Sequence, residues 1–148
     1  MNLNEFVQYT KKADEIIIKA FADTGFSVPE ANILFGHILS AQHIWAKRIL
    51  NEKPNYAVWE QLKPKIFIEV YQTNMQLLDH IIDTKTFTEE VSYGNSAGET
   101  FHNTVEEILL HVCNHGTYHR GQLAKMLKQA GYEVPYTDYI ILKRQNIF

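Results

Sequence analysis

Apolar residues recur at steps of three and four along four separate stretches of this chain, a pattern that commits it to amphipathic helices packed on one another. Leu3, Phe6, Val7, Thr10, Ala13, Ile16, Ile17, Ala20 and Phe21 continue without Pro or Gly until Gly25, which predicts a helix over about residues 2–23. Ser27 with Glu30 reads as a capping box and Pro29 as a first-turn proline. They open a second helix with the stripe Leu34, His37, Ile38, Ala41, Ile44, Trp45 and Arg48, ending near Asn51. A third is expected from about Ala57 to Asp83, with Trp59, Leu62, Ile66, Val70, Thr73, Leu77 and Ile81 on one face and Pro64 bending its first turns. Thr104 and Glu107 form another capping box, for a fourth helix that stops at Gly131, a residue suited to the left-handed position after a helix.

The stretch between the third and fourth helices is too long for a structureless loop in a compact domain. Weak alternation in Thr88 to Tyr93 and Glu99 to Asn103, around the turn GNSAG, predicts a short β-hairpin or irregular connector. Thr137 and Asp138 precede a last apolar run, which predicts a short fifth helix or an extended arm. The fold class expected is all-α, a helical bundle in one domain over residues 1–148.

A chain of 148 residues can bury roughly two thirds of its unfolded surface around a single core. Net charge is -3 with acidic and basic residues interspersed, so no basic face stands ready for a nucleic acid backbone. No signal-peptide-like apolar run and no membrane-spanning run is visible, and the one cysteine, Cys113, has no partner for an internal disulfide. A cytoplasmic protein that binds neither nucleic acid nor membrane is the expectation.

The chemistry sits in HVCNHGTYHRGQL, where His111, His115 and His119 recur every four residues. That spacing stacks their imidazoles along one side of a helix. His115 and His119 share the stripe of Ile108, Val112, Leu123 and Met126, so they should face the core, where neutral imidazoles at i and i+4 can hold one divalent ion. Two buried imidazoles without partners would cost a few kcal/mol, and a shared metal satisfies both. A third ligand should come from a facing helix, and His37 lies on the right stripe, with His80 as a rival. His43 is rotated about 120° from His37 and is expected at the surface or boundary. His102 reads as exposed, and Cys113 as a buried apolar residue. His111 lies one turn before His115, where it would orient a ligand, line the cavity or simply pack. Gly116 and Gly121 weaken the helix and ask for a reason, either close approach of another helix or space beside a metal. Arg48 and Arg120 would pair either with a substrate carboxylate or with a structural acid.

Together these residues resemble the DinB-like family of metal-binding helical bundles, named for damage-inducible bacterial proteins. GHILSAQHIWAKRI is similar to the family segment whose leading histidine is a metal ligand, here His37, followed by Trp45 and Arg48. HVCNHGTYHRGQL is similar to the signature helix whose paired ligands fall on His115 and His119, with Tyr118, Arg120, Gly121 and Gln122 completing the pattern. VSYGNSAGE and PYTDYI look like the family's connector and closing segment. The family fold is an up-down-down-up four-helix bundle that often dimerises, and the resemblance implies both here.

Three neutral histidines leave a bound ion its full charge and an open position, the pattern of catalytic rather than structural sites. Such an ion lowers the pKa of a bound water or thiol. Zinc or nickel fits the donor set best, with iron or manganese as alternatives. The glutamate of HExxH metallopeptidases is missing. The activity class expected is a metal-dependent transferase or hydrolase, and the resemblance points to S-transfer or isomerisation with a low-molecular-weight thiol or other small-molecule substrate. Tyr118, Arg120 and His111 would then surround the ligands. The competing readings are a stress-related metal-binding protein whose sphere is closed by a fourth ligand such as His80, and a homodimeric interaction module in which the histidines only pack.

Overall fold

A computed structural model describes residues 2–148. The elements run α1 (Leu3–Asp23), α2 (Pro29–Ile49), a 3-10 turn (Pro64–Ile66), α3 (Phe67–Thr84), β1 (Glu90–Gly94), β2 (Thr100–Thr104), α4 (Val105–Gln129) and α5 (Tyr139–Arg144). The chain is therefore mostly helical, with one small antiparallel hairpin in which Val91 pairs Asn103 and Tyr93 pairs Phe101.

Local chemistry explains most of the boundaries. Asn2 caps α1 by accepting from the Glu5 amide. Thr104 and Glu107 close the expected capping box on α4, and Gly131 follows its end at φ +89. Ser27 and Glu30 do not form one. The residue preceding α2 is Val28, without a side-chain cap, while Ser27 Oγ bonds Tyr132 Oη at 2.6 Å.

The third helix starts ten residues later than its apolar spacing predicts, at Phe67 instead of Ala57. Pro64 disfavours helical backbone at Lys63, which is extended at φ -81 and ψ 142, so Pro64 can only open the first turn. Trp59 and Leu62 thus leave the helix, and Thr73 turns to solvent.

The freed segment runs back along α2. The Asn55 amide donates to His43 Nε2 at 3.2 Å, Trp59 stacks on His37, and Leu62 lies against Gly36, where an added Cβ would come within 3.4 to 3.5 Å of Leu62 side-chain and backbone atoms. The missing side chain at Gly36 admits this close approach. Because the chain returns to the start of α2, α3 runs in the same direction as α2: Phe67 meets Phe35, and farther along Asn74 donates to the Leu39 carbonyl at 2.8 Å. Against α4, α2 is reversed, pairing Trp45 with His111 and His37 with His115. Helix α1 follows α4, with Phe6 near Cys113 and Asp14 bonded to Arg120.

Two apolar clusters fill the interior. One joins Phe21, Phe35, Phe67, Leu123 and Leu127, and the other joins Val7, Ala46, Leu78, Ile81, Leu109 and Cys113. In α5, Leu142 packs on Tyr9 and Ala13 of α1, while Ile140 stays exposed. None of the helices of the described residues is long and apolar enough to cross a membrane.

Candidate metal centre

His37 from α2 and His115 and His119 from α4 converge so that one ring nitrogen from each lies within 4.8 Å of the others. The rings stand edge to face: interplanar angles are 65° for His37 with His115, 84° for His37 with His119 and 75° for His115 with His119. His37 Nε2 and His115 Nε2 are 3.1 Å apart. Two nitrogens each about 2.0 to 2.1 Å from a tetrahedral ion stand roughly 3.3 Å apart, so this pair already has the spacing of a shared ion.

Each ring is set by its surroundings. His119 Nδ1 lies 2.8 Å from Gln122 Oε1, one turn on in α4; with Nδ1 donating, Nε2 is left with its lone pair for the cluster. His37 has no such partner, and its Nδ1 is buried and unsatisfied. Its ring is instead held face to face by Trp59, centroids 3.6 Å apart and planes 5° apart. Trp59 is 60% exposed and adopts φ +62, an unfavourable backbone for a bulky residue that marks a position held by its contacts. Burial, with His119, His37 and His111 adding to it, pushes His115 down to about 4, so the ring is neutral at neutral pH. Burial first and then His119 also lower His37. A neutral imidazole is the form that ligates metals.

The other histidines lie elsewhere. His80 is exposed on α3 and does not reach the cluster, and among the described residues no fourth His, Cys, Asp or Glu joins the three. His111 packs edge-on to Trp45, its ring 5.6 Å from that of His115. Tyr118 is exposed, with its ring 5.1 Å from His119. His102 is exposed on β2, with Nδ1 2.9 Å from Ser92 Oγ.

His43 is the clear departure from expectation: it is 2% exposed. Its Nδ1 is 3.2 Å from Asn74 Oδ1 and its Nε2 accepts from the Asn55 amide. The helical angle from His37 was right, but α2 is covered on several sides by α3, α4 and the returning segment, so turning away from the histidine cluster does not mean turning to water.

Arg120 also turns from the cluster, into α1. Its guanidinium donates to Asp14 Oδ1 at 2.8 Å and Thr117 Oγ1 at 2.9 Å. Gly116 provides the room, since an added Cβ would stand 3.0 Å from Arg120 Nη1; nothing in the structure explains Gly121. Cys113 is buried, and burial pushes its thiol up to about 11, which leaves it inert as a nucleophile.

Beside the cluster, a cavity of about 160 Å³ is walled by His37, His115, Trp59, Trp45, Ile44 and Arg48 among others. The DinB family profile matches residues 1–146. The chain belongs to the DinB family. It is also similar to Protein DinB of Bacillus subtilis (strain 168), 53% identical over 45 residues that make up 30% of this chain and 26% of that protein. The match thus spans about a quarter of the relative's length. No solved structure matches the chain.

Proposed function

We propose that this DinB family protein holds one divalent ion on His37, His115 and His119 and acts as a metal-dependent transferase or hydrolase on a small thiol or other small molecule. The observation that carries the reading is the convergence of three imidazoles, without a fourth protein ligand among the described residues, two of which, His37 and His115, line a cavity. Zinc or nickel suits three nitrogen donors, with iron or manganese admitted by geometry and supply. When bound, the ion supplies Lewis acidity that lowers the pKa of a thiol or water in its open position.

The chain's own residues do the rest. Gln122 fixes the His119 tautomer, Trp59 clamps the His37 ring and shields it on one face, and Ile44 and Trp59 present apolar walls that thin the water around an approaching thiol. Tyr118 and His111 border the ligands, while Arg120 serves the scaffold through Asp14.

The same reading takes the chain as one domain over residues 1–148, an up-down-down-up four-helix bundle. The neighbour pattern α1–α4–α2–α3–α1 supports it, as do the shared direction of α2 with α3 and of α1 with α4. It also takes the protein as a cytoplasmic homodimer; light scattering at 17.2 kDa under micromolar conditions would refute the dimer.

The deciding experiment is metal analysis of protein purified without a histidine tag, followed by cobalt substitution. One ion per chain, and visible absorption that changes on adding a small thiol in the wild type but not in His119→Ala, are expected. Metal-free protein would overturn the reading. Bound metal whose cobalt spectrum ignores millimolar thiol would move the protein to metal binding without thiol chemistry.

A further inference from the structure

Two arginines invite comparison because they meet opposite fates. Arg120 is buried and answered by Asp14. Arg48, half-buried on α2, has no carboxylate and no side-chain hydrogen bond among the described residues. Its guanidinium is stacked instead, 4.5 Å from the Trp45 ring centroid and 4.9 Å from that of Tyr93. The two rings, whose own centroids are 4.9 Å apart with planes at 85°, hold the guanidinium from one side, and its N–H groups, without a partner among the described residues, can receive a carboxylate. Burial lowers its pKa, with Tyr93 opposing the shift, and no carboxylate of the described residues stands within ion-pair distance, so a bound anion would relieve the cost of holding the charge there.

Arg48 lines the same cavity as His37 and His115, and among the described residues it is the sole Lys, Arg, Asp or Glu side chain there. The cavity floor is one face of α2, with His37 at one end and Arg48 at the other, separated by Ala41 and Ile44. Eleven residues at 1.5 Å rise put their α-carbons about 16 Å apart along the axis, and the long arginine side chain, leaning back along the helix, shortens this to roughly 10 Å.

We propose that Arg48 is an anion subsite which selects small thiols carrying a carboxylate several methylene lengths from the sulfur, with the sulfur directed to the histidine cluster and the chain laid along Ala41, Ile44 and Trp59. The proposal rests on the metal and thiol reading above and adds the chemical class of ligand. Protein, ligand and solvent exchange no bond in this step; it is binding alone.

The test compares 6-mercaptohexanoate with 6-mercaptohexan-1-ol, equal in length and differing in charge, on the cobalt-loaded protein. The chain's two tryptophans, Trp45 and Trp59, both line the cavity, so emission reports occupancy independently of the cobalt bands. The wild type should bind the acid roughly tenfold or more tightly than the alcohol, the strength of a charge-assisted pair. Arg48→Gln should abolish that preference and Arg48→Lys should retain part of it, with circular dichroism and alcohol binding verifying that each variant is folded. Equal affinity of the wild type for acid and alcohol overturns the subsite, as does a preference that survives Arg48→Gln.

A second arm uses hexanoate and hexanol on chelated protein, read by tryptophan emission. Hexanoate binding that depends on Arg48, combined with cobalt bands indifferent to both thiols, would sustain the anion subsite and sink the thiol reading. Cobalt bands that respond equally to acid and alcohol would do the reverse. If neither arginine variant folds, equal wild-type affinity for hexanoate and hexanol still overturns the subsite, and a preference for hexanoate that is lost on adding excess acetate supports it.

Discussion

Arg120 Nη1 donates to Asp14 Oδ1 across 2.8 Å with the arginine side chain 2% and the aspartate 0% exposed, tying α4 to α1. Gln42 Nε2 donates to the other oxygen, Oδ2, at 2.6 Å, so α2 joins the same carboxylate. Burial opposes the charge of Arg120, and Asp14 with Tyr9 outweighs it, leaving its pKa above the ordinary value. Removing one partner strands the other in the interior. Arg120→Met is therefore expected to lower the unfolding free energy by about 3 kcal/mol, read from urea denaturation. A loss under about 1 kcal/mol would show that water reaches Asp14 easily.

The two histidine classes should separate cleanly in mutagenesis. His115→Ala is expected to cut metal affinity sharply with little change in folding, because its ring serves the cluster alone. His43→Ala should keep its metal and lose about 1 to 3 kcal/mol of stability, since Asn74 and the Asn55 amide are left without their partner. Metal content and urea midpoints measured on the same two proteins check this. Full metal retention in His115→Ala would reject the ligand assignment.

How much of this was legible in the sequence follows the range of the physics. The long helices were readable because a stripe, a capping box such as Thr104 with Glu107, and a terminal glycine such as Gly131 are local signals. The shared face of His115 and His119 was readable for the same reason, and the convergence of His37 on them followed from its stripe. Trp59 was misplaced on a helix because its spacing from Leu62 and Ile66 mimics a helical face, whereas Pro64 and the contact of Leu62 with Gly36 draw the segment along α2. His43 and the Asp14–Arg120 pair depend on which elements cover which, a non-local matter that no spacing rule reports. The reason for Gly116 lay within its own helix: space for Arg120.

Gln122 should tune the site without ligating. Its Oε1 accepts from His119 Nδ1, and losing such a partner costs about 10- to 100-fold in metal affinity. Gln122→Ala is expected to fall in that range by competition with a chromophoric chelator, and Gln122→Glu to hold or tighten binding. Unchanged affinity in Gln122→Ala would mean that Trp59 and helix packing alone orient the rings.

Chelation should lower the melting temperature while leaving the helical circular dichroism at room temperature intact. The two apolar clusters make a core without any ion, and a ligand that binds only the native state adds stability by mass action. Collapse of the helical signal in stripped protein would show that the metal makes the fold instead of supporting it.

Acid should loosen α5 before the rest of the chain. The Glu5 carboxylate is held below its usual range, first by Lys143 and then by the Tyr139 hydroxyl, both carried by α5. A carboxyl whose folded-state pKa is depressed contributes its stability above the unfolded value and loses it as pH falls through the folded one. That window lies below about pH 4, the ordinary glutamate value. The contact is solvent-exposed, so salt should weaken it in the same way. Hydrogen-exchange protection factors of residues 139–148, taken relative to the intrinsic rate at each pH, are expected to fall there, with Glu5→Gln showing the lower protection already at neutral pH. Protection of α5 in Glu5→Gln equal to that of the wild type would show that Leu142 packed on Tyr9 and Ala13, and not the ionic contact, holds this helix in place.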